Sequence, residues 1–158
     1  MIRDIRRNGA QPKDTMHKAG VELVTGMGVV IKDTTTVELP KAETVANIYV
    51  ATKERIPTGI NAARVDMSDY DEDFVNIAKG EFLGLERYTD GEKFATDQYK
   101  EADFSGEVAD GTPVSVGADG KWQKLTTGSS KYVYEKPFKD NGHDLIMIRV
   151  EADAVAKA

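Results

Sequence analysis

The sequence predicts a mainly β protein, an antiparallel barrel or sandwich of short strands with an extended N-terminal arm and at most one or two short helices. Three observations favour this fold class. Runs of β-branched and aromatic residues are short, turn dipeptides separate them every ~8–12 residues, and no segment holds a long helical period. Short strands between frequent turns are typical of antiparallel barrels and sandwiches, whereas strands alternating with long helices would indicate a parallel α/β fold.

The first 19 residues predict an extended basic arm outside the folded domain. Residues 1–20 hold five basic and two acidic residues, a net charge of +3, and include Gly9, Pro12 and few large apolar side chains. The basic residues are Arg3, Arg6, Arg7, Lys13 and Lys18. Such a segment buries too little apolar surface to order by itself. We therefore expect residues 1–19 to be disordered until a partner orders them.

Residues 20–152 predict a single β-rich domain, followed by a frayed tail at 153–158. In the first part of the domain, β-branched runs surround Gly26 and Gly28, a pair that indicates a turn or bulge rather than a phosphate loop. The expected strands of this part lie near residues 21–23, 29–31, 34–37 and 47–52.

The middle of the domain predicts an acidic insertion at about residues 61–105. Residues 66–80 have two interpretations: a short helix that begins near Ser68-Asp69 and ends at Gly80, or an irregular acidic loop. Residues 82–88 then predict a strand, residues 89–92 a turn, and residues 94–100 a strand or a short helix.

The last third has the clearest strand and turn signals. The turns are predicted at the dipeptides Asp110-Gly111, Asp119-Gly120 and Asn141-Gly142. The strands between and after them are expected at 113–116, 121–125, 132–134 and 145–150. Across the whole domain, the apolar residues that we expect in the core are Val29, Ile31, Ile48, Val50, Leu83, Leu85, Val114, Val116, Trp122, Leu125, Val133, Ile146, Ile148 and Val150.

Composition and spacing point away from enzymatic chemistry, and we expect no cofactor and no metal. The chain has no cysteine and two histidines, His17 and His143. His143 and Asp144 are adjacent, so on a strand their side chains point to opposite faces, and we expect His143 to be an exposed turn histidine.

In the acidic run over residues 66–73, the alternation of Asp69, Asp71 and Asp73 superficially suggests a calcium loop. If Asp69 is position one, the loop rule requires Gly at position six and Glu at position twelve. Those positions hold Phe74 and Gly80. The run therefore indicates a solvated acidic loop or a partner surface rather than a calcium site.

The uneven charge suggests a surface for association. Residues 66–110 carry a net charge of −10, with fourteen acidic and four basic residues, beside the +3 arm. The pattern indicates either self-complementary association, with a homo-oligomer as the result, or simply two solvated faces. The candidate partner-binding residues are Arg3, Arg6, Arg7, Lys13, Lys18, Asp69, Asp71 and Asp73. No aromatic residues interleave the basic ones, so a sequence-specific nucleic-acid partner is not expected.

Two stretches resemble the capsid decoration proteins of tailed bacteriophages. Residues 17–30 (HKAGVELVTGMGVV) resemble the opening strand pair after a polar arm, and residues 106–122 (GEVADGTPVSVGADGKW) resemble a barrel strand with a glycine-rich turn. The resemblance implies a non-enzymatic virion protein on the capsid exterior, made in the host cytoplasm. Its partners would be the major capsid protein and itself, with an arm that adds a strand along a neighbour.

Two other functions remain open. The chain is alternatively another phage structural component, such as a tail, baseplate or shell subunit, or a free-standing ligand-binding β module. No small-molecule substrate is expected. No run approaches the ~18 apolar residues of a membrane span, so we expect no membrane partner.

Overall fold

The structure is a computed structural model that describes residues 1–9, 13–54 and 72–157. Within these ranges the chain forms thirteen β-strands and two four-residue helices. In chain order the elements are β1 (Ile2–Arg6), β2 (Lys18–Ala19), β3 (Leu23–Val24), β4 (Gly28–Ile31), β5 (Thr36–Glu38), β6 (Tyr49–Lys53), α1 (Glu72–Val75), β7 (Asn76–Ile77), β8 (Leu83–Glu86), β9 (Lys93–Thr96), α2 (Glu101–Phe104), β10 (Val114–Val116), β11 (Trp122–Lys124), β12 (Ser129–Asp140) and β13 (His143–Ala156). The predicted mainly β fold is confirmed, and of the two architectures named above the sandwich fits.

The first sheet has the order β1-β9-β13-β12 and is antiparallel throughout. The long hairpin of β12 and β13 forms one side of this sheet, and β12 is an edge strand. The hairpin turns at Asn141-Gly142, where both residues have positive φ, 49° and 86°. This is the backbone that a two-residue hairpin of Asn-Gly type requires, so the predicted turn is confirmed.

The second sheet has the order β2-β5-β4-β6-β8 and curls until its two edges meet. Its pairs are antiparallel except for β2 with β5. Single bridges join Lys18 to Phe82 and Asp14 to Leu85, so residues 14–18 lie beside β8 while β2 lies beside β5. A few residues of the N-terminal segment thus connect both edges of one sheet.

Two apolar clusters form the core, and β6 contributes to both. Val50 belongs to the cluster that contains Trp122, and the next residue, Ala51, belongs to the cluster that contains Leu83. Successive side chains of a strand point to opposite faces, which explains this division. We call the two groups the tryptophan core and the leucine core.

The predicted core is confirmed at every position but one. Ile31 is 40% exposed, whereas the other thirteen residues are buried. Ile31 is the last residue of β4, and the chain turns directly after it, where the N–H of Lys32 donates to the carbonyl of Thr36. Ile31 is apolar, but its position at the end of a strand leaves it partly uncovered.

The expectation of a disordered arm outside the domain is wrong for the described part of residues 1–19. Residues 2–6 form β1, an edge strand of the first sheet, with Ile2 opposite Thr96 and Asp4 opposite Phe94. Residues 14–19 take part in the second sheet. The segment orders because strand pairing and ion pairs with distant acidic residues replace the apolar burial that it lacks.

The expected tail and insertion also differ from the structure. β13 continues to Ala156, which pairs with Ser129, so residues 153–156 are not frayed.

Within the expected insertion, β8 and β9 are strands of the two main sheets. Residues 94–96 are therefore strand, not helix. Of the acidic stretch at 66–80, residues 66–71 lie outside the described residues, and the rest holds α1, β7 and a turn at Gly80.

Candidate functional site

Arg7, one of the candidate partner-binding residues, serves as counter-ion for buried acidic residues of its own chain. Its guanidinium lies 3.5 Å from Oε2 of Glu86 and 3.6 Å from Oε1 of Glu92, and it covers the Tyr88 ring at 4.3 Å from the centroid. Glu92 is fully buried and also accepts the backbone N–H groups of Asn8 and Thr89. A buried carboxylate needs such partners, so Arg7 is engaged inside the fold.

Two further basic candidates are also engaged. Lys13 Nζ lies 2.9 Å from Oε1 of Glu86; burial lowers the pKa of Lys13, but Glu86 and Glu54 outweigh it, and the net shift is upward. Arg3 Nε donates to Oδ2 of Asp140 at 2.6 Å.

The other candidate partner-binding residues are either exposed or outside the described residues, except for Asp73. Arg6 and Lys18 are exposed. Asp69 and Asp71 lie outside the described residues, and Asp73 is in α1. The structure therefore does not gather the sequence-predicted residues into one described site.

An exposed apolar surface lies where residues 14–18 meet β8. His17 and Leu83 point inward and are buried, whereas Met16 and Phe82 are 74% and 52% exposed. The Lys18 ammonium lies over the Phe82 ring, 4.8 Å from its centroid. We call the outward side chains of Met16, Lys18 and Phe82 the seam face. Large apolar side chains that share an exposed surface are a mark of protein contact.

A cleft of about 690 Å³ lies beside residues 87–90. Its lining includes Ile48, Arg87, Tyr88, Lys131, Tyr132 and Val150. Tyr132 packs against Trp122 of the tryptophan core with 5.2 Å between ring centroids and 55° between the ring planes, and Lys131 pairs with Asp90 at 3.2 Å. We call it the tyrosine cleft. It combines an apolar floor with polar groups at its mouth, a pattern typical of small-molecule sites.

A second cleft, of about 660 Å³, lies between α2 and the turn end of the β12–β13 hairpin. Aromatic side chains and carboxylates line it together, and we call it the acidic cleft. The members that matter below are Asp97, Tyr99, Glu101, Phe104, Tyr134 and Asp144. Burial raises the pKa of Tyr99, and the nearby carboxylates of Asp144, Glu101 and Asp97 raise it further.

Glu43 is the carboxylate with the most complete set of hydrogen bonds among the described residues. It accepts from the hydroxyls of Ser115 and Thr126, from the Thr126 N–H and from the Gln123 amide. Burial alone would raise the pKa of Glu43, but these donors outweigh it and bring the pKa to about 2. The group is a structural acceptor that fixes the loop around residue 43 to β10 and β11.

The histidines lie apart. His143 is exposed at the start of β13, as predicted for a turn histidine. His17 is buried, with Nδ1 3.0 Å from Oδ2 of Asp14. Across residues 1–9, 13–54 and 72–157, no group of three histidine or acidic side chains is placed to hold a metal ion. In the same part of the chain, no helix has the length and apolar character needed to cross a membrane.

Neither cleft nor the seam face was predicted from the sequence. Met16 and Phe82 are separated by 66 positions, and Tyr99 and Asp144 by 45, so no local pattern joins them. The single weak signal for the seam face is Met16, a large apolar residue between polar neighbours in the basic segment.

Comparison of the chain with protein-family models, with curated proteins and with solved structures finds no match. Function is therefore inferred from the surfaces described above.

Proposed function

We propose that the chain is a non-enzymatic structural protein of a tailed-phage particle, which binds the outside of the capsid shell and stabilises it. The observation that carries the proposal is the seam face, where Met16 and Phe82 expose most of their apolar area to water. Burying a methionine or phenylalanine side chain completely stabilises by ~1.5–3 kcal/mol. Contacts of this size, repeated over many copies on a shell, give a large total stabilisation.

The seam face replaces the N-terminal arm as the proposed contact. An arm that threads along a neighbour has to be free, but residues 2–6 and 14–19 are paired within their own sheets. The seam face lies on a sheet rather than on a loose segment, so little conformational entropy is lost when a partner binds. Lys18 at its centre supplies a positive charge for an acidic shell surface.

The test is co-sedimentation with tailed-phage shells that lack their decoration protein, together with the mass of the free protein by light scattering. We expect stoichiometric pelleting with one such shell. Protein that stays monomeric and pellets with none of the shells would overturn the proposal.

A paired set of variants assigns the contact. The double substitution Met16→Ser with Phe82→Ser should weaken pelleting at least tenfold, since removing ~1.4 kcal/mol of binding energy suffices for that. Ile5→Ser is the matched control, because Ile5 is also a partly exposed apolar residue, 37% exposed, on the other sheet. If the double variant pellets like the unmodified protein, the seam face is not the contact.

A second candidate function is a free-standing ligand-binding β module, and the tyrosine cleft favours it. Its volume of about 690 Å³ falls within the ~300–1,000 Å³ of typical ligand pockets. A saturable small ligand that shifts the fluorescence of Trp122, which contacts Tyr132 at the cleft, would support this candidate over shell binding.

A further inference from the structure

We propose that the acidic cleft binds an arginine side chain presented by a partner protein. The inference rests on the chemistry of the cleft and does not depend on shell binding. It assigns a contact to a part of the surface that is remote in sequence from the seam face.

The aromatic side chains of the cleft are in contact with one another and form one continuous wall. Tyr99 meets Phe104 edge-on at 5.7 Å between ring centroids, and Phe104 meets Tyr134 at 5.4 Å with 32° between the ring planes. Planar guanidinium groups stack on such rings, and the negative face of each ring attracts the cation. The wall therefore suits arginine better than a compact, strongly hydrated ammonium.

The carboxylates of the cleft are only partly neutralised by the chain itself. Asp97 pairs with the amino group of Met1. Asp144 pairs with Lys139 at 2.6 Å, but both side chains are mostly exposed, and such surface pairs are weak. Glu101 is exposed and makes no ion pair with any described residue. A guanidinium between Glu101 and Asp144 would gain charge-assisted hydrogen bonds without breaking a strong existing pair.

The aromatic wall also offers a polar group to an occupant. Tyr134 is only 5% exposed and lines the cleft, yet its hydroxyl has no hydrogen-bond partner among the described residues. A hydroxyl that bonds to no described residue is free to accept a hydrogen bond from a ligand in the cleft. A guanidinium carries five N–H donors and is able to serve this hydroxyl and the carboxylates together.

The charge of the acidic cleft and its access from solvent favour a cationic side chain as the ligand. An anion would meet repulsion from the carboxylates, and a neutral ligand would leave Glu101 without a counter-ion. Gly142 and His143, at the exposed end of the hairpin, form part of the lining, so a side chain on another protein reaches the cleft from solvent.

The test is an NMR titration with the peptide acetyl-Gly-Arg-Gly-amide. We expect saturable shifts of the amide signals of residues 99, 104 and 134. The same peptide with citrulline, which keeps the shape of arginine but lacks its charge, should bind about tenfold more weakly, in line with the loss of cation–π and charge-assisted contacts.

Variants locate the site. Glu101→Gln combined with Asp144→Asn should weaken the arginine peptide about tenfold, whereas the control Glu107→Gln, an exposed acidic residue outside the cleft, should leave it unchanged. Equal binding of the citrulline peptide, or equal binding to the double variant, would overturn the proposal. So would the absence of any saturable shift. None of these results bears on the sedimentation experiment, so the two proposals fail separately.

Discussion

At the scale of single residues, the Glu43 carboxylate shows how this chain uses its excess of acidic groups. It joins a loop to β10 and β11 through donors that come from residues more than 70 positions away. The charged form makes the hydrogen bonds, so folding favours ionised Glu43 and lowers its pKa to about 2.

The first prediction concerns Glu43→Gln. The amide keeps the shape but loses the charge-assisted acceptor, and we expect it to lower the free energy of unfolding by about 1–2 kcal/mol at pH 7, a value reduced for partial exposure of the group. Urea unfolding at pH 7 measures the difference, with Glu107→Gln as the control. An unchanged midpoint would show that the hydrogen bonds of Glu43 are replaced by water at no cost.

The contribution of Glu43 to the free energy of unfolding depends on pH in a definite direction. Because the pKa of Glu43 is lowered in the folded state from its ordinary value of 4.5 to about 2, its contribution is complete above pH 4.5 and is lost as the pH falls through 2. The stability difference between the unmodified protein and Glu43→Gln should therefore shrink between pH 5 and pH 2.

At the scale of elements, the N-terminal segment contributes strands to both main sheets. β1 extends the first sheet, residues 14–19 join the edges of the second, and Arg7 between them neutralises buried Glu86 and Glu92. Deletion of residues 1–19 would remove all of these contacts together. A loss of partner binding after that deletion would report unfolding rather than a lost contact.

The second prediction compares two neighbouring arginines. Arg7→Met keeps much of the apolar stem but leaves Glu92 without its cation, and we expect a loss of about 2–3 kcal/mol in the free energy of unfolding. The cost stays below the ~3–5 kcal/mol of a fully buried pair because Arg7 retains 18% exposure. Arg6→Met is the control, since Arg6 is exposed and should change stability little. Equal effects of the two variants in denaturant titrations would show that Arg7 is not the counter-ion.

At the scale of the whole molecule, the two cores should unfold as one unit. They share β6, whose residues Val50 and Ala51 belong to different cores, and the N-terminal segment pairs with strands of both sheets. If one core unfolded alone, the shared strands would lose their contacts with the other core. We therefore expect a single cooperative transition.

The third prediction uses the single tryptophan as the probe. Leu83→Ala removes a fully buried side chain from the leucine core and should cost about 2–5 kcal/mol. Trp122 lies in the other core, yet its fluorescence transition should move to lower denaturant together with the circular dichroism transition. Ile148→Ala, in the tryptophan core, is the control that must move the fluorescence transition. If Leu83→Ala leaves that transition in place, the cores unfold independently.

The sequence by itself determined the fold class, most strands and turns of the last third, and about half of the described core. These features depend on local properties. Gly111, Gly120, Asn141 and Gly142 adopt the positive φ angles that their turn dipeptides predicted. Thirteen of the expected core residues are buried, because the transfer of apolar side chains out of water favours their burial. Ile31 is the exception since it ends its strand.

Only the tertiary structure decided where the N-terminal segment lies and which surfaces remain exposed. Arg7 and Glu92, Met16 and Phe82, and Tyr99 and Asp144 are distant along the chain, and nothing in their local composition indicates the partner. Composition suggested a free basic arm because it counts charges without their neighbours. The arm is ordered because strand pairing satisfies its backbone hydrogen bonds. Buried acidic residues elsewhere in the chain form ion pairs with its basic side chains.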